Sequence, residues 1–402
     1  MTNRILVLNA GSSSLKFAAF TRSGSGSPAL DLKGQLAGIG QGETRLTVTD
    51  EHGNRARWGK AERIATHADA VRLLIDRLRI AEEPGDWLGA GHRIVHGGAR
   101  FAEPVKITPD TIRDLAALVP LAPLHQPHNV APIEALRDLL PDLAQVACFD
   151  TAFHMSQPEV AVRCALPEKY WQAGLRRYGF HGLSYEAILY GLPAVAGSVP
   201  KRLVIAHLGN GASMAAVRDG KCVATTMGFS TLDGLVMGTR AGSIDPGVLL
   251  HLLREGMSRE ELENLLYHES GVKGVSGLTA DMKMLLESTD PKAKLAIALY
   301  CYRIGRELGS LAAALGGVDA LVFTGGVGEN AAQIRARVCE DAAWLGLNLD
   351  TEANRRGGPQ ISSASSHMAA WVVPTDEELT IARHTQRLLT RRQIACATAQ
   401  QL

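Results

Sequence analysis

Residues 202–217, RLVIAHLGNGASMAAV, read as an apolar strand, a turn of small polar residues and a second apolar strand. The turn holds Gly209, Asn210, Gly211 and Ser213. Glycines there let the backbone approach a ligand with no Cβ in the way. Successive bare N–H groups in such a turn form a concavity suited to phosphate. The unit returns near the N-terminus as residues 4–19, RILVLNAGSSSLKFAA. Laid over one another, Arg4 meets Arg202, the apolar runs coincide and Gly11 falls on Gly209. Two such units about half a chain apart predict a duplicated fold with a phosphate turn in each half. Taken singly, each also reads as an ordinary hairpin, since NG and GSS are common turn chemistry.

The remaining composition is that of an ordinary soluble globular protein. With 402 residues, 46% hydrophobic and 21% charged, the chain is long enough for two domains. A formal net charge of +1 and the lack of any long Lys/Arg run argue against nucleic acid or an anionic membrane as partner. Six cysteines (148, 164, 222, 301, 339 and 396) show no C-x-x-C spacing and sit mostly in apolar contexts. They predict free thiols in a reducing compartment, with the cytoplasm as the expected location. No stretch has the ~18 uninterrupted apolar residues of a membrane span, and the N-terminus turns polar at Asn9, unlike a signal peptide.

In chain order, residues 3–50 read as successive strands, including the Gly/Ser-rich turn TRSGSGSP. A helix follows over residues 65–78 with Val71, Leu74, Ile75 and Leu78 on one face. GHRIVHGG (91–98) is a strand entering a glycine turn, so Arg93 reads either as a surface arginine or as one facing a cleft. A helix over 109–119 precedes PLAPLHQPHN, read as a proline-stiffened loop carrying His125 and His128, and a second helix spans about 131–140. Asp150 ends the strand of VACFDTAFH, where open α/β sheets place chemistry, although acidic residues there also form turns. RYGFHG puts His181 between glycines before an amphipathic stretch. Asp245 reads as an N-cap before Pro246, and Asp290 as the cap of a long helix ending at Gly316. Arg240, in a glycine-flanked loop, has no visible structural role and suits bidentate recognition of carboxylate or phosphate. ALVFTGGVGEN reads as a strand and glycine turn opening a helix near Ala331, a second place for phosphate. In VVPTDEEL, Thr375 and Glu378 have capping-box spacing, which leaves Glu377 free for a metal.

These segments carry a resemblance. NAGSSSLKF, GHRIVHGG, PLAPLHQP, FDTAFH, RYGFHG, HLGNGAS, GLVMGTR, DPG, FTGGVGEN and PTDEEL occur in the order and spacing of acetate kinases, from Asn9 to Glu378. The resemblance implies a two-domain, duplicated βββαβαβα fold of the actin-like ATPase (ribonuclease H-like) class, with a nucleotide cleft between domains that close on the ligand. It implies an N-terminal domain of 1–150 plus 385–402 and a nucleotide-binding domain of 151–384. The implied reaction is reversible in-line transfer of the ATP γ-phosphoryl to acetate, giving acetyl phosphate and ADP, with Mg²⁺ (or Mn²⁺) and as a homodimer.

By the same resemblance Asp150, His181 and Arg240 are catalytic. Arg93, Val95, Leu124 and Phe180 bind the substrate, and Asn9 and Glu377 are linked to the metal. Lys16, the segment His207, Leu208, Gly209, Asn210 and Gly211, the triplet Asp281, Met282 and Lys283, and the run Gly326, Val327, Gly328, Glu329 and Asn330 bind ATP or ADP. Departures from the family pattern are Ala241 and Ser243 for Ser and Asp, Leu183 and Tyr185 for Thr and His, Lys283 for Arg, Asp376 for Asn, and Thr231 for Pro. They leave open whether the acid is acetate or the longer propionate or butyrate, and which nucleotide is preferred. A third reading, an actin- or chaperone-type ATPase, gives no reason for Arg93 and Arg240.

Overall fold

The computed structural model describes residues 4–22, 26–56, 58 and 63–399, excluding the side chains of 84 and 391–399, so part of the turn 21–28 and the Cys396 thiol lie outside the described residues. The chain divides into two compact units, Met1–Ala152 with Asp376–Leu402, and Phe153–Thr375. The return to the first unit thus begins at Asp376, earlier than the expected 385, and carries Glu377 with it.

The first unit is built on a seven-stranded sheet of order β4-β3-β2-β1-β5-β7-β6. Its strands are β1 (Arg4–Ala10), β2 (Ser14–Thr21), β3 (Ala29–Ala37), β4 (Arg45–Asp50), β5 (Trp87–Ile94), β6 (Val105–Lys106) and β7 (Gln145–Phe149). The second unit has five strands in the order β10-β9-β8-β11-β12. These are β8 (Arg202–Leu208), β9 (Ala212–Arg218), β10 (Lys221–Thr225), β11 (Ala320–Thr324) and β12 (Ala369–Val372). β1 pairs antiparallel with β2 and parallel with β5, as β8 pairs antiparallel with β9 and parallel with β11. The run β3-β2-β1-β5-β7 therefore repeats as β10-β9-β8-β11-β12, strand for strand and direction for direction. The echo between residues 4–19 and 202–217 is the sequence trace of this duplication.

Parallel central strands are apolar throughout because both faces are covered. β7 and β11 are fully buried along their lengths. Leu6, Leu8 and Phe17 pack with Val71, Leu74 and Ile75 of the helix His67–Leu78 in the first unit. Leu203, Ile205, Val217 and Val322 pack with Tyr185, Ile188 and Leu192 of the helix Gly182–Ala196 in the second. The last helix, Glu377–Ala399, lies on β5 and β1. It approaches so closely that a Cβ added at Gly91 would collide with Ile381 and Thr385. Among the described residues no helix is long and apolar enough to cross a membrane. Their cysteines are free thiols, all buried except the partly covered Cys164.

Three local expectations need correction. The stretch HQPHN is not a loop: the helix begins at Gln126 with Pro127 in its first turn and runs to Leu139, so His128 is helical. GGVGEN is itself a short helix, Gly325–Asn330, running straight out of β11 before a second helix, Ala332–Asp341. The final helix is capped by Asp376, whose Oδ1 accepts from the Leu379 N–H at 2.8 Å, while Thr375 Oγ1 is buried without a hydrogen-bond partner among the described residues. Thr375 and Glu378 form no capping box.

Candidate active site

In the first unit, parallel strands deliver polar side chains to their C-terminal ends, where β1 contributes Asn9, β5 Arg93 and β7 Asp150. Asp150, 1% exposed, accepts from Arg93 Nη2 at 2.6 Å and from Nε at 3.2 Å. Arg93 Nη1 donates to Asn9 Oδ1 at 3.2 Å, and Nε stands 3.8 Å from Glu377 Oε2. Burial works against the Arg93 charge, but Asp150 and Glu377 outweigh it and hold its pKa above the ordinary value. Burial pushes the Glu377 carboxyl up to about 7 against the pull of Arg93, with Asp150 and Glu378 adding repulsion. Glu377 is therefore not free, as its position suggested: it completes the Arg93 cluster.

Val95 is buried and donates its N–H to Asn129 Oδ1 at 2.9 Å, while Asn129 Nδ2 donates to the Ala10 carbonyl at 2.9 Å. Asn129 thus ties the ends of β1 and β5 together beside Arg93, a role missed in the sequence because its helix was read as a loop. Leu124 is half-buried just before that helix. Lys16 is exposed on β2 and lines a cavity of about 300 Å³ with Lys33, Gln35, Thr47, Thr49 and Glu378.

In the second unit, His181 adopts the left-handed conformation (φ 61°) at the start of the helix Gly182–Ala196. Such a backbone costs a non-glycine residue energy, so the surroundings must hold it. His154 Nε2 donates to the adjacent Phe180 carbonyl at 2.9 Å, and its ring packs where a Cβ on Gly179 would sit. Phe180 is 1% exposed. The His181 ring stacks on His207 with centroids 4.3 Å apart, and its Nδ1 hydrogen-bonds Ser213 Oγ at 2.8 Å. His207 Nδ1 pairs with Ser184 Oγ at 2.8 Å, and Leu208 is fully buried in β8.

Arg240 donates from Nη1 to the Thr231 carbonyl at 3.2 Å. Burial lowers its pKa from the ordinary value. Ser243, one of the family departures, donates to Asp233 at 2.7 Å and so closes the loop that carries Arg240. A Cβ on Gly211 would lie 3.4 Å from His181 Nε2 and 3.7 Å from Arg240 Nη1. The bare glycine turn is thus flanked by an imidazole and a guanidinium.

Beside this, a cavity of about 350 Å³ is lined by Gly209, Asn210, Gly238, Val272, Ala280, Asp281, Met282, Tyr300 and Val327. It unites three of the segments singled out for nucleotide. Not all their members reach it. Asp281 lines it while capping the helix Met282–Glu287, but Lys283 is exposed, outside the lining. Of the run 326–330 only Val327 lines the cavity. Gly328 is buried, Glu329 accepts from the Gly325 and Thr375 N–H groups, and Asn330 donates to the Gly326 carbonyl.

A family model described as the Acetokinase family matches residues 4–383. The chain belongs to the acetokinase family. It is 52% identical over 394 residues to the acetate kinase of Rhodopseudomonas palustris (strain TIE-1), covering 96% of this chain and 99% of that one. It is 47% identical over 398 residues to the acetate kinase of Methylocella silvestris, covering 97% and 98%. The crystal structure of Porphyromonas gingivalis acetate kinase matches with a TM-score of 0.86 and 38% identity over 96% of this chain and 100% of that one. A propionate kinase from Francisella tularensis subsp. tularensis SCHU S4 matches with a TM-score of 0.88 and 36% identity, covering 96% and 99%. The duplicated two-sheet α/β architecture is that of these acetokinase structures.

Proposed function

We propose that this chain is an ATP:acetate phosphotransferase, carrying the γ-phosphoryl of ATP to acetate and back. The observation that carries the reading is the Gly211 turn of the second unit, where His181 Nε2 and Arg240 Nη1 flank a position with no side chain. Phosphoryl transfer demands little covalent chemistry from the protein and much positive, preorganised electrostatics. A carboxylate oxygen attacks the γ-phosphorus in line, the new O–P bond forms, and the bond to the ADP oxygen breaks with its electron pair. His181 and Arg240 donate to the transferring group. Arg93 binds the carboxylate, and Asp150 holds that guanidinium along its Nε–Nη2 edge. The acid is already ionised at neutral pH, so Asp150 has no proton to remove.

The cavity lined by Gly209, Asn210, Met282 and Val327 takes the nucleotide, and Lys16 adds positive charge for its phosphates. Asn9 and Glu377 are the residues to hold Mg²⁺ or Mn²⁺. Both offer hard oxygen donors, and the buried Glu377 carboxyl, crowded by Asp150 and Glu378, gains from a nearby cation. When bound, the ion neutralises charge on the β- and γ-phosphates. The free buried thiols support a reducing cytoplasm as its location. Val248, Leu250 and Leu253, exposed on the helix Pro246–Arg254, support a homodimer.

A second reading, the same chemistry on a longer acid, is favoured by Thr231 in place of the family's proline, with its carbonyl on Arg240. The test is hydroxylamine trapping of acyl phosphate from ATP, Mg²⁺ and acetate, propionate or butyrate. The highest kcat/KM is expected with acetate. A maximum at propionate or butyrate favours the second reading, and acid-independent ATP hydrolysis with no hydroxamate overturns both.

A further inference from the structure

We infer that Tyr185, acting through Ser213, is a positioning residue that fixes the tautomer of His181, so that Nε2 carries the proton on the side facing Gly211 and Arg240. The inference rests on the proposed role of His181 and extends it to a residue that stands where the family pattern has histidine.

Tyr185 lies one helical turn after His181, on the first turns of the helix Gly182–Ala196, and its side chain is fully buried. Its hydroxyl is in short hydrogen-bond contact with Ser213 Oγ. Ser213, itself fully buried on β9, makes the 2.8 Å bond to His181 Nδ1. The Tyr185 ring is held in place by Phe153, tilted at 5.5 Å, and by His154, edge-on at 5.6 Å.

The direction of the chain follows from proton affinity. A phenol is a much better donor than an alcohol, and an imidazole nitrogen a better acceptor than either hydroxyl. The favoured order is Tyr185 O–H to Ser213 Oγ, and Ser213 O–H to His181 Nδ1. Nδ1 then serves as acceptor, and the ring proton of the neutral imidazole sits on Nε2. That nitrogen is the one 3.4 Å from the space a Gly211 Cβ would fill. A buried network of this kind strengthens its members cooperatively and selects one arrangement. Stacking on His207, whose Nδ1 is bound to Ser184, fixes the plane of the ring. Without Tyr185 the Ser213 hydroxyl loses its donor and can turn, and His181 can place its proton on either nitrogen.

The test reads the tautomer directly. Protein labelled with ¹⁵N in its histidine rings is examined by NMR at neutral pH, with the His181 signals identified by their loss in His181→Gln. The wild-type protein is expected to show His181 as the Nε2–H tautomer, and Tyr185→Phe a mixture of the two. In parallel, kcat should fall about tenfold in Tyr185→Phe with KM for ATP unchanged. Ser213→Ala should behave alike, and the double variant should be no worse than Ser213→Ala alone, because the two groups act in series. If Tyr185→Phe fails to fold, Ser213→Ala and the wild-type spectrum still decide the matter. An Nδ1–H tautomer in the wild type, or an unchanged tautomer in the variants, overturns the inference. Full activity in His181→Gln would instead overturn the role of His181 while leaving the tautomer result standing.

Discussion

Gly211 shows at the scale of one residue why an absent side chain matters. A methyl group there would touch His181 and Arg240 at ordinary contact distances, in a backbone conformation open to alanine. Gly211→Ala should therefore keep its melting temperature yet lose about 10²-fold in kcat, by occupying the space proposed for the anion. The two arginines should differ in kind. Arg240 gives its Nη1 hydrogen to a carbonyl, so Arg240→Ala should fold normally and lose about 10²–10³ in kcat, as when an oxyanion donor is removed. Arg93 neutralises Asp150, which is 1% exposed. Arg93→Ala leaves that carboxylate buried and unpaired, and should cost about 3–5 kcal/mol of stability, read by urea unfolding, besides activity. Equal stability in the two variants would mean that the Arg93–Asp150 pair is not the anchor described here.

Most elements were legible in the sequence because periodicity and caps agree with the fold at each point. Thr66, Asp245 and Asp290 cap their helices, and Gly316 closes the helix Pro291–Leu315 in the left-handed conformation. The misreadings have local physical causes. Pro127 looked like loop chemistry, but proline in a first helical turn lacks only an N–H that has no partner there. Thr375 and Glu378 have the spacing of a capping box, yet Asp376 takes the cap and Glu378 receives the Asn9 amide instead. Asp376→Ala should accordingly cost about 1 kcal/mol, measured by urea unfolding, while Thr375→Val should be near neutral because its hydroxyl has no partner among the described residues. The reverse ranking would restore the capping box. The site was legible as residue types near strand ends. What motifs could not show was that Glu329 and Asp281 would be taken up in local hydrogen bonds, or that Asn129 would tie the ends of β1 and β5 together.

At the scale of the molecule, buried neutral histidines tie stability to pH in each unit. Burial lowers the pKa of His92 and His96 in the first unit, and of His154 in the second, from 6.5 to about 4. Between these values the unfolded chain binds protons that the folded chain refuses. Stability is therefore full above about pH 6.5 and falls as the pH drops towards 4, by up to about 1.4 kcal/mol per pH unit for each histidine. Urea unfolding at pH 7 and pH 5 should show this loss, and equal stability at the two values would place those rings in contact with water. The first unit carries Arg93 on β5 and the second carries Arg240 on a loop, and the proposed reaction bonds a carboxylate oxygen to phosphorus. That claim is tested most directly by ³¹P NMR of the products made from ATP, Mg²⁺ and [¹⁸O₂]acetate. The acyl phosphate is expected to carry one ¹⁸O on its phosphorus, with unlabelled ADP as the other product. Label in AMP, or only unlabelled inorganic phosphate, would contradict direct transfer to the acid.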